Sequence, residues 1–201
     1  MKTYVATNNP GKLRELKAMF ARSPLQIVTP RKHLTIDVIE NAPTYAGNAL
    51  IKAQALAAEL RSRHLGAAVL ADDSGLEVDA LGGRPGIYSA RYGGPEMEWP
   101  ERRAALLDEL RGVPPYRRAA RFVCVLCLIR PNGEPVFATG EVHGYVLEAE
   151  RGTSGFGYDS LFLYPPYGRS FAALAEKEKN EVSHRRRAAE ALLAALQPAV
   201  E

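Results

Sequence analysis

No disulfide framework can be drawn from this sequence, because its 201 residues hold two cysteines, Cys124 and Cys127, in one β-prone run. Their odd spacing turns them to opposite faces of a strand. No second pair of ligating residues accompanies them, which excludes zinc and redox roles. Such cysteine usage points to a reducing compartment. No apolar run approaches the ~20 residues of a membrane span, and the start, MKTYVATNNP, lacks the apolar core of a signal peptide. The expectation is a soluble cytoplasmic protein with no membrane partner. Charge of one sign is not in excess either: 26 Lys and Arg against 23 Asp and Glu leave +3. Without an extended basic, aromatic surface, that excess is too small to indicate a nucleic-acid binder. Internal repeats, low-complexity linkers, a Gly-x-Ser-x-Gly elbow and a P-loop are all missing. His33, His64 and His143 are scattered and form no metal cluster.

What is present is an alternation of strand and helix signals. Residues 3–7 read as a short strand rich in β-branched and aromatic side chains. Leu13, Leu16, Met19 and Phe20 then fall at helical spacing, with Pro10 suited to the first helical position. A strand is expected over 25–30, a helix over 48–63 and a short buried strand over 67–71 that ends at two aspartates. A helix over 98–112 stops at Gly112. Two β-prone runs flank a Pro-Asn-Gly turn at 131–133. A last helix over 183–196 has Ser183 as its N-cap. The order predicts an α/β chain with a mixed sheet, in one large domain or one domain with a small lobe.

Several segments have the composition of a nucleotide site. Thr7, Asn8, Asn9, Pro10, Gly11 and Lys12 lie where a strand meets a helix, so free backbone N–H groups, the helix dipole and a lysine converge on a place for phosphate. An N-cap with a solvated lysine explains the same residues. Asp72 and Asp73 at a strand end suit a hard divalent cation, and an ionised Asp can orient or deprotonate water; alternation implies that one of the two faces the site. In the segment 153–162, Phe156 or Tyr158 can stack on a flat heterocycle, Gly157 gives room and Asp159 accepts a hydrogen bond. Lys179, His184 and Arg185 fall before or within the first turn of the last helix, where cations oppose the dipole, and a guanidinium there can fork onto keto oxygens or phosphate.

TNNPGK, GNALIKA, ADDSGLEVDALGGRPGIYSARYGG, GFGYDSLF and EKNEVSHR, in that order, resemble the inosine triphosphate pyrophosphatase family over nearly the whole chain. The resemblance implies an elongated mixed β-sheet flanked by helices, an α/β fold with two lobes and a central cleft, and a single nucleoside-triphosphate pyrophosphatase domain over 1–201. It implies Mg²⁺-dependent cleavage of ITP, dITP and XTP to the monophosphate and pyrophosphate, by a homodimer. By that resemblance Asp73 is metal ligand and proton acceptor, with Asp72 beside it at the metal. Residues 7–12 and Lys52 hold phosphate, and Ser74 contacts substrate. Phe156, Gly157, Tyr158 and Asp159 bind the base, with Phe156 as stacking platform, and Lys179, His184 and Arg185 add contacts near it. Arg185 is then the expected donor to a 6-keto oxygen. A Maf-like hydrolase of pyrimidine or modified-nucleotide triphosphates is the alternative, opposed by Ser183-His184-Arg185. Two departures stand out. Relatives carry ENA, whose Glu helps hold the metal, where this chain has Gly47; Asp72, Glu40 or water is the substitute. Ser160 replaces a proline frequent after GFGYD.

Overall fold

The computed structural model describes residues 1–30, 38–131 and 133–197. Seven strands form one mixed sheet in the order β2-β1-β3-β4-β5-β6-β7. They are β1 (Lys2–Ala6), β2 (Gln26–Val28), β3 (Ala68–Val78), β4 (Ala119–Ile129), β5 (Pro135–Val146), β6 (Phe162–Tyr164) and β7 (Arg169–Ser170). The α-helices among the described residues are α1 (Pro10–Phe20), α2 (Tyr45–Ser62), α3 (Trp99–Glu109), α4 (Glu176–Val182) and α5 (His184–Ala195). β1 pairs parallel with β2 and β3, whereas β6 pairs antiparallel with β5 and β7. The expected mixed sheet is therefore present.

The chain divides into two compact units. The first takes Met1–Asp73, Cys124–Gly140 and the stretch from His184; the second takes Ser74–Val123 and Glu141–Ser183. Each has its own core.

In the first unit the period of two along each strand sorts side chains onto two helical layers. Val5, Leu70, Cys124, Leu126 and Leu128 pack with Leu16, Met19 and Phe20 of α1 and with Ala188, Ala189 and Leu192 of α5. The alternate residues Tyr4, Ala6, Val69, Ala71, Cys127 and Ile129 pack with Ala49, Ala53, Leu56 and Leu60 of α2. The two cysteines thus lie on opposite faces, as their spacing predicts, and both are free thiols. Gly140 lets α5 press onto β5: a Cβ there would meet the Ala188 nitrogen and the His184 oxygen at 2.2 Å. The second unit buries Leu76, Val78, Leu106, Val142 and an aromatic group, with Phe162 centred 4.6 Å from Phe122 and 4.9 Å from Phe171.

One expectation is corrected and two features were not foreseen. The strand expected to stop at the aspartates runs on to Val78, buried along most of its length, so Asp-Ser-Gly makes no turn. What ends there is its neighbour: β1 pairs with β3 from Thr3 opposite Ala68 to Ala6 opposite Ala71. Asp72 and Asp73 therefore lie just past the carboxyl end of β1. The final helix starts at His184 after an extended Ser183, as expected, and the separate helix α4 before it was not foreseen. Lys179 then falls in the last turn of α4, where the dipole favours a cation. Finally, a glutamate at position 47 has no room, because a Cβ on Gly47 would meet the Ala42 Cβ at 2.5 Å. β4 and β5 are neighbours as a hairpin requires, and Asn132 of the expected turn lies outside the described residues.

Candidate active site

Strand alternation assigns the two aspartates to different helical layers. Asp72 follows the parity of Leu70 and meets α1 and α5. Its Oδ1 lies 2.5 Å from Lys12 Nζ, and its Oδ2 accepts from Arg185 Nε at 2.7 Å and from the Cys124 thiol at 3.1 Å. Arg185, with no exposed surface, also donates to Glu15 through NH1. Burial would raise the Asp72 pKa, but Arg185 and Lys12 hold it well below the ordinary carboxylate range. This is a closed cluster of two carboxylates and two cations. Both Asp72 oxygens are engaged within this cluster. The Arg185 guanidinium bonds two of these carboxylates, Asp72 and Glu15.

Asp73 follows Ala71 and meets α2. Asn48 and Lys52 are one helical turn apart on that helix, so both reach it. Lys52 Nζ donates to Asp73 Oδ1 and to Glu40 Oε2, each at 2.8 Å, and Asn48 Nδ2 approaches Asp73 Oδ2 at 3.5 Å. The Asn48 side-chain oxygen accepts from the Ala42 nitrogen at 3.0 Å, which anchors the segment carrying Glu40. Burial, helped by the neighbouring Glu40, pushes the Asp73 carboxyl up to about 6 against the pull of Lys52 and Lys12. Glu40 moves the other way: burial would raise it, but Lys52 and Lys12 hold it below the ordinary value.

Proteins hold Mg²⁺ with one or two carboxylates, leaving the remaining positions to water and substrate phosphates. Asp73 and Glu40, which share Lys52, are the two carboxylates that could hold such an ion. Among the described residues no group of three or more His, Cys, Asp or Glu side chains gathers to hold a metal by itself. A ¹³C NMR titration of metal-free protein should give Asp73 a midpoint near 6. A midpoint in the ordinary carboxylate range would contradict this electrostatic account. Because the folded state holds its proton up to about 6 and the unfolded state only to 3.8, this group's contribution to stability declines as pH rises through that window.

The loop before α1 takes the N-cap form, one of the two readings of its sequence. Asn9 caps the helix, its Oδ1 accepting from the nitrogens of Gly11 at 2.9 Å and Lys12 at 3.1 Å, while Thr7 Oγ1 accepts from the Asn9 nitrogen at 3.2 Å. Pro10 has no N–H to offer. The first-turn N–H groups expected to be free are occupied by the cap. The loop's other polar side chains are Thr7, Asn8 and Lys12, the last paired with Asp72.

The second unit carries the segment 155–160 as a tight, heavily anchored loop. Asp159 Oδ2 accepts from the Phe156 nitrogen at 2.8 Å and from Lys179 Nζ at 2.5 Å. That ammonium sits 4.6 Å from the Phe156 ring centroid. Gly155 has a positive φ of 79°, and a Cβ on it would meet Asp159 Oδ2 at 2.1 Å, so only glycine fits. Of the two candidate platforms, Phe156 is half-buried, whereas Tyr158 is core: its ring packs edge-on against Trp99 and its hydroxyl donates to the Ser89 oxygen at 3.2 Å. Ser74 is half-buried on β3 in this unit, and His184 is buried at the start of α5 in the first.

Sequence reasoning missed Glu15 and Asn48, and held Glu40 only as one substitute among three. A signal existed for two of them: Glu15 follows Lys12 by one helical turn, and Asn48 precedes Lys52 by one.

The mixed sheet and its lysine–carboxylate pairs define an α/β protein with buried charged clusters just past the carboxyl end of β1. The chain belongs to the Ham1 family, which matches residues 3–195. It is 46% identical over 195 residues to the dITP/XTP pyrophosphatase of Thermus thermophilus, covering 97% of this chain and 91% of that one. It is 45% identical over 185 residues to the enzyme of the same name from Geobacillus kaustophilus, covering 92% and 88%. The Staphylococcus aureus Ham1 structure superposes with a TM-score of 0.82 at 36% identity, covering 98% of each chain. No helix among the described residues is long and apolar enough to cross a membrane.

Proposed function

We propose that this chain hydrolyses the non-canonical purine nucleoside triphosphates ITP, dITP and XTP to the monophosphate and pyrophosphate, with Mg²⁺. The observation that carries this reading is the Asp73–Lys52–Glu40 arrangement, with Lys12 close by. Lysines of this kind neutralise a polyphosphate, and an Asp held near neutrality is poised to accept a proton. Water attacks the α-phosphorus, the bond to the bridging oxygen breaks, pyrophosphate departs and Asp73 takes the proton of the water. When bound at Asp73 and Glu40, Mg²⁺ supplies further neutralisation of the developing charge.

Base recognition is assigned to Phe156 as stacking surface and to Lys179 and Asp159 as its polar rim. An ammonium donates to the 6-keto oxygen of hypoxanthine or xanthine and offers nothing to the amino group of adenine. Pyrophosphate release should run at least ~100-fold faster on dITP and XTP than on dATP at equal concentration, since a buried polar site rejects analogues it cannot pair. Equal rates on all three would overturn the specificity, and a preference for dTTP or UTP would overturn the substrate class. The family resemblance also carries a homodimer, which light scattering on the purified protein reads directly.

A further inference from the structure

The base loop contains a weak point and a brace. Gly157 has a positive φ of 65° and no Cβ to restrict it, so its carbonyl direction must be set from outside. Two residues one turn apart on α3 reach it. Arg103 NH1 donates to the Gly157 oxygen at 3.1 Å, and the Trp99 ring lies 3.5 Å from where a Gly157 Cβ would stand. Arg103 is itself held: its Nε is 2.8 Å from Glu150 Oε2, and the same oxygen accepts from Ser160 Oγ at 2.7 Å. The Ser160 carbonyl accepts from the Arg151 nitrogen at 2.8 Å. Ser160 and the Gly157 carbonyl are thus joined through Glu150 and Arg103. A proline at 160 could not make the hydroxyl bond.

We infer that Arg103 is a positioning residue for base selection: with Glu150 and Ser160 it fixes the Gly157–Tyr158 peptide, the centre of the turn closed by the Asp159 nitrogen and the Phe156 oxygen, and so the placing of Asp159 and its Lys179 against the Phe156 ring. This rests on the reading of Phe156 as the surface on which the base stacks. Arg103 touches neither base nor phosphate in this account. Its effect belongs to base recognition rather than to the chemical step, so its loss raises KM and spares kcat.

The test is steady-state kinetics of the full chain, parent and Arg103→Met, on dITP and dATP. The expected result is a KM for dITP raised about tenfold, the scale of a lost charged hydrogen bond, with kcat within about twofold. The dATP constants should change little, so the dITP-over-dATP ratio of kcat/KM shrinks. Ser160→Ala should shift the ratio the same way by less. Trp99, the chain's one tryptophan, offers a direct readout, and its emission should respond to dIMP at higher nucleotide concentration in Arg103→Met than in the parent. Equal losses on both substrates, or unchanged constants for dITP, would overturn the inference while leaving the proposed function standing. A parent enzyme that does not distinguish dITP from dATP would overturn the base-loop reading and this inference with it.

Discussion

Asp73→Asn is expected to lose at least about 10³-fold in kcat, the scale of a removed general base. At pH 8 it should melt no lower than the parent. The first half follows from chemistry: an amide cannot take the proton of the attacking water and is a poor ligand for a hard cation. The second half follows from burial. Asp73 is 6% exposed, and its carboxyl is pushed up to about 6, so at pH 8 the folded protein carries an ionised group in a place that disfavours it. A neutral amide of the same shape removes that cost, while Lys52 keeps Glu40 as partner. Pyrophosphate release and a thermal melt of the same preparation check both halves. A variant retaining a tenth of parental turnover would remove Asp73 from the proton transfer. An inactive variant that melts much lower would show that Asp73 supports the fold.

Arg185→Met is expected to do the opposite. It should destabilise the protein by about 3–5 kcal/mol, the usual cost of breaking a buried ion pair from one side. Arg185 is fully buried, and its removal leaves Glu15 without its cation and Asp72 with Lys12 as the remaining one. Urea unfolding measures this loss. In the folded fraction, the preference for dITP over dATP should persist, because the guanidinium is committed to carboxylates. A variant of parental stability that no longer prefers dITP would restore Arg185 to the base.

The comparison of these two aspartates shows where sequence reasoning stops. Adjacent carboxylates after an apolar run are legible, and so is the rule that neighbours on a strand face opposite ways. Which face holds the chemistry is not legible. It depends on α2 bringing Asn48 and Lys52 to one side, and on α1 and α5 bringing Lys12, Glu15 and Arg185 to the other. The Asp72–Arg185 contact spans 113 positions of sequence. The packing around Gly47 was not legible for a related reason. The motif comparison registers a missing glutamate, but the contact with Ala42 and the arrival of Glu40 beside Lys52 are packing events.

By itself the sequence determined the alternation of strands and helices, the period that separates Cys124 from Cys127, the capped start of α1 and the ordered motifs of the Ham1 family. These are local signals, carried by residues within a few turns of one another. Only the tertiary structure decided that β3 continues past its aspartates while β1 stops, that Asp73 and Glu40 share a lysine, and that Arg185 neutralises buried carboxylates. The physical reason is that a charge or a polar bond takes its energy from its partners and its burial, and both are set by segments far apart along the chain.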